Sequence, residues 1–173
     1  GDKGIVIATR DHLDMLEQAL VSRGLLGNGA DGNYIPIDAN HMLPLFMANG
    51  LPDQDRFRDA IGNIVIKAID SHQGQVYVFG EMVALLCAGE HCHIHTVGKH
   101  QAAIHVENYF NDLQLQHAFT LLCAYPLSAF PREDDRAMFG EVCRLHTDVL
   151  PAENLDLDAD LDTLRRTVAL LQQ

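Results

Sequence analysis

Residues 4–25 read GIVIATRDHLDMLEQALVSRGL, and the change of period inside this stretch sets the fold class. Gly4 to Thr9 is a short apolar run bounded by polar residues, which suits a buried strand better than a helix. From Asp11 to about Leu25 the apolar residues Leu13, Leu16, Leu20 and Val21 recur at helical spacing. A buried strand feeding an amphipathic helix is the first half of a parallel crossover unit.

Outward from there the same alternation repeats. Asn33 to Asp38 (NYIPID) reads as a second strand, placed near a sheet edge because Pro36 has no N–H to give a ladder. Asp38 or Asn40 can cap the helix that follows, which turns Met42, Leu43 and Phe46 inward. A helix is expected from about Asp53 to His72, with Phe57, Ile61, Ile64, Val65, Ala68 and Ile69 in one stripe. Gln75 to Glu81 (QVYVFGE) is the third strand, and Met82 to Cys87 begins another helix. Lys99 to Leu113 is expected to be helical, with Ala102, Val106, Tyr109, Phe110 and Leu113 inward. Ala118 to Tyr125 is the fourth strand, and a helix follows from about Asp134 to Val149, closed by Pro151. The pattern predicts an α/β domain, its mainly parallel sheet covered on both faces.

With 173 residues, 47% of them hydrophobic, the chain can bury a core without a disulfide or metal staple. A formal charge of -12 repels phosphate backbones and anionic membranes, so neither nucleic acid nor membrane is an expected partner. The four cysteines form no CxxC pair. With no signal peptide and no long apolar segment, the cytoplasm is the expected location. Gly1, ahead of a charged pair and a core strand, reads as a cut end, with a larger protein continuing on both sides.

Ligands of parallel sheets bind beyond the carboxyl ends of the strands. Those ends carry Thr9, Arg10 and His12; Asp38, Asn40 and His41; Glu81 and Met82; then Tyr125 and Ser128. The set makes a pocket rim, although ordinary strand exits share this polarity. Glu81 could accept a ligand's hydrogen bond, act as a base, or cap the next helix. Cys143 and His146 share a helix face, as a core thiol beside a hydrogen-bonded histidine would.

Three other motifs carry alternatives. Gly27 to Gly32 spells GxGxxG, but it follows a helix and precedes a strand, the reverse of a dinucleotide site, and reads as a turn. Gly98-Lys99 is no phosphate loop, because residue 93 is His and residue 100 is His. His91, His93 and His95, if extended, put three imidazoles on one face with Cys92 opposite and His100 nearby. Such a set can hold zinc or copper, or it is a His-rich solvent loop.

The chain resembles the MEDS domain, a sensory domain of methanogens and methylotrophs found in bacterial sensor kinases and regulators. The resemblance is carried by residues 4–25, by YIPIDANHMLPLFMANGLPDQDRFRDAIG at 34–62, and by VYVFGEMVALLCA at 76–88. LLCAYPLSAF at 121–130 and FGEVCRLHTDVLPAE at 139–153 complete it. It implies a RecA-like three-layer sandwich without a working phosphate loop, over residues 1–153. The family's GEM motif falls on Gly80, Glu81 and Met82, its aromatic-proline step on Tyr125 and Pro126, and its late histidine on His146. A strand and helix that usually precede the first strand are absent, and Gly89 to Gly98 stands as an insertion.

The expected function is therefore a ligand-sensing input domain of a histidine kinase or regulator, with no chemistry of its own. A small hydrocarbon derivative would bind Thr9, Arg10, Asp38, Glu81, Met82, Tyr125 and His146, with Glu81 and Tyr125 orienting it and Met82 lining the wall. A metal sensor, a vestigial nucleotide-binding domain and a purely structural interaction domain are the alternatives. No cofactor is expected beyond zinc or copper at the insert. In residues 154–173, Leu157, Leu161, Leu164, Val168 and Leu171 follow heptad spacing, which predicts a helix joining a homodimer and leading to an attached output domain.

Overall fold

A computed structural model of the chain describes residues 1–26, 32–88, 96–126, 129–130 and 133–150. All but Gly32 of the GxGxxG match, the histidines at 91, 93 and 95, and the heptad stripe from Leu157 lie outside these residues. The chain divides into two compact units, Gly1–Tyr125 and Pro126–Gln173.

The first unit carries four parallel strands, β1 (Lys3–Ala8), β2 (Tyr34–Asp38), β5 (Val76–Gly80) and β6 (Thr120–Cys123), in the order β2-β1-β5-β6. The register sets Ile5 beside Ile35 and Val78, and Ile7 beside Ile37 and Gly80. Since side chains alternate along a strand, these isoleucines share one face with Val78, and Ile5, Ile7, Ile37 and Val78 are buried. On the opposite face Tyr77 and Leu122 are exposed. β2 is an edge strand, as Pro36 requires.

α1 (Arg10–Ser22) links β1 to β2, with Thr9 Oγ1 accepting from the amide of His12 at its start. Leu13 is buried, but Val21, counted with the leucines at helical spacing, is exposed. At 3.6 residues per turn Val21 is rotated roughly 100° from Leu20, off the arc that Leu13, Leu16 and Leu20 present. The helix also ends earlier than expected, followed by Gly24 at φ 67°.

Asp38 Oδ1 accepts from Asn40 N and caps α2 (Ala39–Phe46), which buries Leu43 and Phe46 and leaves Met42 half-buried. A two-stranded hairpin then forms from β3 (Met47–Ala48) and β4 (Leu51–Pro52), which the sequence reading did not anticipate. Asn49 and Gly50 turn it with φ of 53° and 82°, the left-handed pair that favours Asn-Gly. Asp53 caps α3 (Gln54–Phe57), which passes through a π turn (Arg58–Gly62) into α4 (Asn63–Asp70).

α5 (Met82–Ala88) starts directly after Glu81, and α6 (Thr96–Gln116) is longer at both ends than expected. Ala102, Val106, Phe110 and Leu113 are buried as the stripe predicted, while Tyr109 is half-buried. Phe57 lies with ring centroids 5.4 Å from Phe46, 5.0 Å from Phe110 and 5.5 Å from Tyr109. Truncating such a fully enclosed Phe to Ala costs about 3–5 kcal/mol.

In the second unit α7 (Glu133–Arg144) buries Met138, Val142 and Cys143. It stops five residues short of the expected Val149. The amides of Leu145 and His146 bond three residues back, to Val142 O and Cys143 O, and so tighten the last turn. Among the described residues no helix is long and apolar enough to cross a membrane.

Candidate functional site at the β1–β5 switch point

The connections from β1 to β2 and from β2 to β5 move across the sheet in opposite directions. With right-handed crossovers, α1 therefore packs on one face and α2 to α6 on the other. The loops leaving β1 and β5 part company, and the crevice of such sheets opens at this reversal, beyond the carboxyl ends of those two strands.

Glu81 stands at the end of β5 in that crevice. The sequence allowed its carboxylate to cap α5, but it turns back toward β1 instead. Oε2 accepts from the Thr9 amide at 3.4 Å and lies 2.8 Å from Nδ1 of His12, and Oε1 is 2.9 Å from the same nitrogen. The Glu81 side chain is only 16% exposed, while that of His12 is 53% exposed. His12 was seen at the strand end but not as the partner of Glu81. The two lie 69 residues apart, and no local period links them.

Other predicted residues surround this pair unevenly. Arg10 is exposed and grips Asp14 through Nε and Nη2, at 2.9 and 2.6 Å, and that hydrogen bond raises its pKa. Asp38 is held as the cap of α2 and lies 3.9 Å from Nδ1 of His41. Next to it, Asn40 Oδ1 is buried and has no hydrogen-bond partner among the described residues. Met82 is fully buried and packs in the core, so it offers no open wall.

Tyr125 belongs to a second polar cluster, built at the end of β6. Cys123 lies beside Gly80 in the ladder, and the Ala124 amide donates to Gly80 O at 3.0 Å. The Tyr125 hydroxyl donates to Oε1 of Glu107 on α6, whose Oε2 is 4.0 Å from the Cys123 thiol. Glu107 is 1% exposed. Burial, reinforced by the Glu107 charge, pushes the Cys123 thiol up to about 12 and raises Tyr125 well above its ordinary range. Both remain protonated donors to the carboxylate. Glu107 was missed in the sequence although a signal existed: it sits four residues after Ala103 and three before Phe110, inside the buried arc.

In the second unit, Nδ1 of His146 lies 2.9 Å from Val142 O, and Cys143 is a buried thiol whose pKa burial raises. The imidazole is hydrogen-bonded as the sequence allowed, but His146 is half-buried and lies just beyond the end of α7.

The class this defines is an open, parallel α/β domain with an imidazole–carboxylate pair at its switch point. The family model described as MEDS: MEthanogen/methylotroph, DcmR Sensory domain, matches residues 1–147 of the chain. The chain belongs to this family of sensory domains. Neither a curated protein nor a solved structure matches it.

Proposed function

We propose that the chain is the ligand-sensing input domain of a larger signal-transduction protein and performs no chemistry of its own. Membership of a sensory family over residues 1–147 carries the reading. The ligand is a small hydrocarbon derivative, seated in the crevice beyond β1 and β5. The buried, unpartnered Asn40 Oδ1 in the first turn of α2, just after β2, supports this place, since an unsatisfied buried acceptor is costly unless something occupies it. Thr9, His12, Asp38 and Glu81 form the binding side, while the Glu107–Tyr125 pair braces the end of β6.

Melting of the purified chain against panels of small organic compounds, nucleotides and metal ions tests this. A ligand at a hundred times its Kd stabilises by about 2.7 kcal/mol, and one that does not bind leaves the melt alone. Stabilisation by small organic compounds is the expected result. Stabilisation only by a nucleotide, or only by zinc or copper, would replace the reading with one of its alternatives.

A further inference from the structure

Resting on that reading of the crevice, we infer that His12 is its recognition group and that it takes a small organic compound carrying a hydrogen-bond donor, an alcohol or an amine. A carboxylate only accepts, so the 2.8 and 2.9 Å contacts from Glu81 require the proton of a neutral imidazole to sit on Nδ1. The other nitrogen, Nε2, is then a lone-pair acceptor. Among the described residues Nε2 has no hydrogen-bond partner, and the His12 side chain is 53% exposed.

The ring is also held before any ligand arrives. Thr9 Oγ1 receives the His12 amide, the Thr9 amide donates to Glu81, and Glu81 holds the imidazole. These contacts close a loop between the first turn of α1 and the end of β5. A group fixed in this way loses little freedom on binding. Charge selects the ligand further. Asp11, Asp14, Asp38 and Glu81 lie on the segments leaving the three strands, and Arg10 is tied to Asp14. An anion is therefore repelled, whereas a neutral or cationic donor is not.

The experiment uses the full chain labelled with 15N, with the His12 ring assigned by its disappearance in His12→Gln. Because the ring is half exposed, that variant should melt as the parent does. In the free protein, at the alkaline limit of the titration, His12 should carry its proton on Nδ1, and a Glu81→Leu variant should lose that preference. Ethanol and ethylamine are then titrated beside dimethyl ether and acetate, with zinc ion as a further arm. The donors should shift Nε2 and bind about tenfold more tightly than the ether or acetate, and His12→Gln should remove that advantage. A proton on Nε2 in the free protein, equal binding of the ether, failure of both donors, or preference for zinc overturns the proposal. Donor binding that shifts Thr9 and Asp38 but spares His12 overturns it while leaving the crevice as the site. Shifts confined to residues outside the crevice count against the crevice itself.

Discussion

Nδ1 of His12 lies 2.8 Å from Oε2 of Glu81, joining the first turn of α1 to the end of β5 across 69 residues of sequence. The strands they follow, β1 and β5, are neighbours in the sheet, but their connections run to opposite sides. The pair therefore ties together the two chain segments that border the crevice. A ligand engaging either side chain acts on both segments at once.

Glu81 is only 16% exposed, but glutamine keeps an acceptor for the Thr9 amide and His12 is half-exposed, so Glu81→Gln should cost about 1–2 kcal/mol in urea unfolding. Its effect on ligand-induced stabilisation should be much larger. A variant that unfolds, or one that responds to ligand as the parent does, contradicts a binding role for Glu81.

Tyr125→Phe should be the more damaging change to the fold. It removes the hydroxyl that donates to the buried Glu107 carboxylate, a loss of about 1–3 kcal/mol. Tyr77→Phe is the control, since Tyr77 is exposed and its change should stay within about 0.5 kcal/mol. Equal unfolding midpoints for the two variants would argue against the buried network.

Alkaline stability follows from the Cys123 thiol, raised from 9.0 to about 12 by burial first and the Glu107 charge second. The unfolded chain loses this proton near 9.0 while the folded chain keeps it. The thiol's contribution is thus fully present below 9.0 and lost as pH rises toward about 12. Within that window this group lowers stability by about 1.4 kcal/mol per pH unit. Comparing Cys123→Ala with the parent between pH 8 and pH 11 isolates it: the parent should fall more steeply, and parallel curves would contradict the assignment.

Gly50→Ala should destabilise by about 1 kcal/mol, because φ at this position is 82° and a Cβ there meets no atom within 4 Å. The cost is one of backbone conformation alone. Asn49→Gly, at φ 53°, should be close to neutral by the same measure. If Gly50→Ala melts at the parent temperature, the turn is not of the Asn-Gly kind.

The strands were legible because each is an apolar run closed by polar residues, and Pro36 alone placed β2 at an edge. Asn49-Gly50 was legible too and went unread, since its flanking strands have two residues each and show no alternation. The π turn at Arg58–Gly62 left the stripe through Phe57, Ile61 and Val65 intact, so nothing in the sequence marked it. At the strand ends, the polarity rule marked Glu81 and Thr9 as candidates but not their contact with each other. Which side a carboxylate turns to depends on neighbours distant in the chain. Met82 was named from its strand-end position and the GEM motif, neither of which tells which way a side chain turns, and it is buried in the core.

The central claim, that small organic ligands bind beyond β1 and β5, is tested most directly by two-dimensional 1H–15N correlation spectra of the chain titrated with compounds that raise its melting temperature. The account predicts that the largest backbone shifts fall on Thr9, His12, Asp38, Asn40 and Glu81, with small shifts at the β3–β4 hairpin. Shifts centred on that hairpin, with the ends of β1 and β5 unmoved, would contradict it.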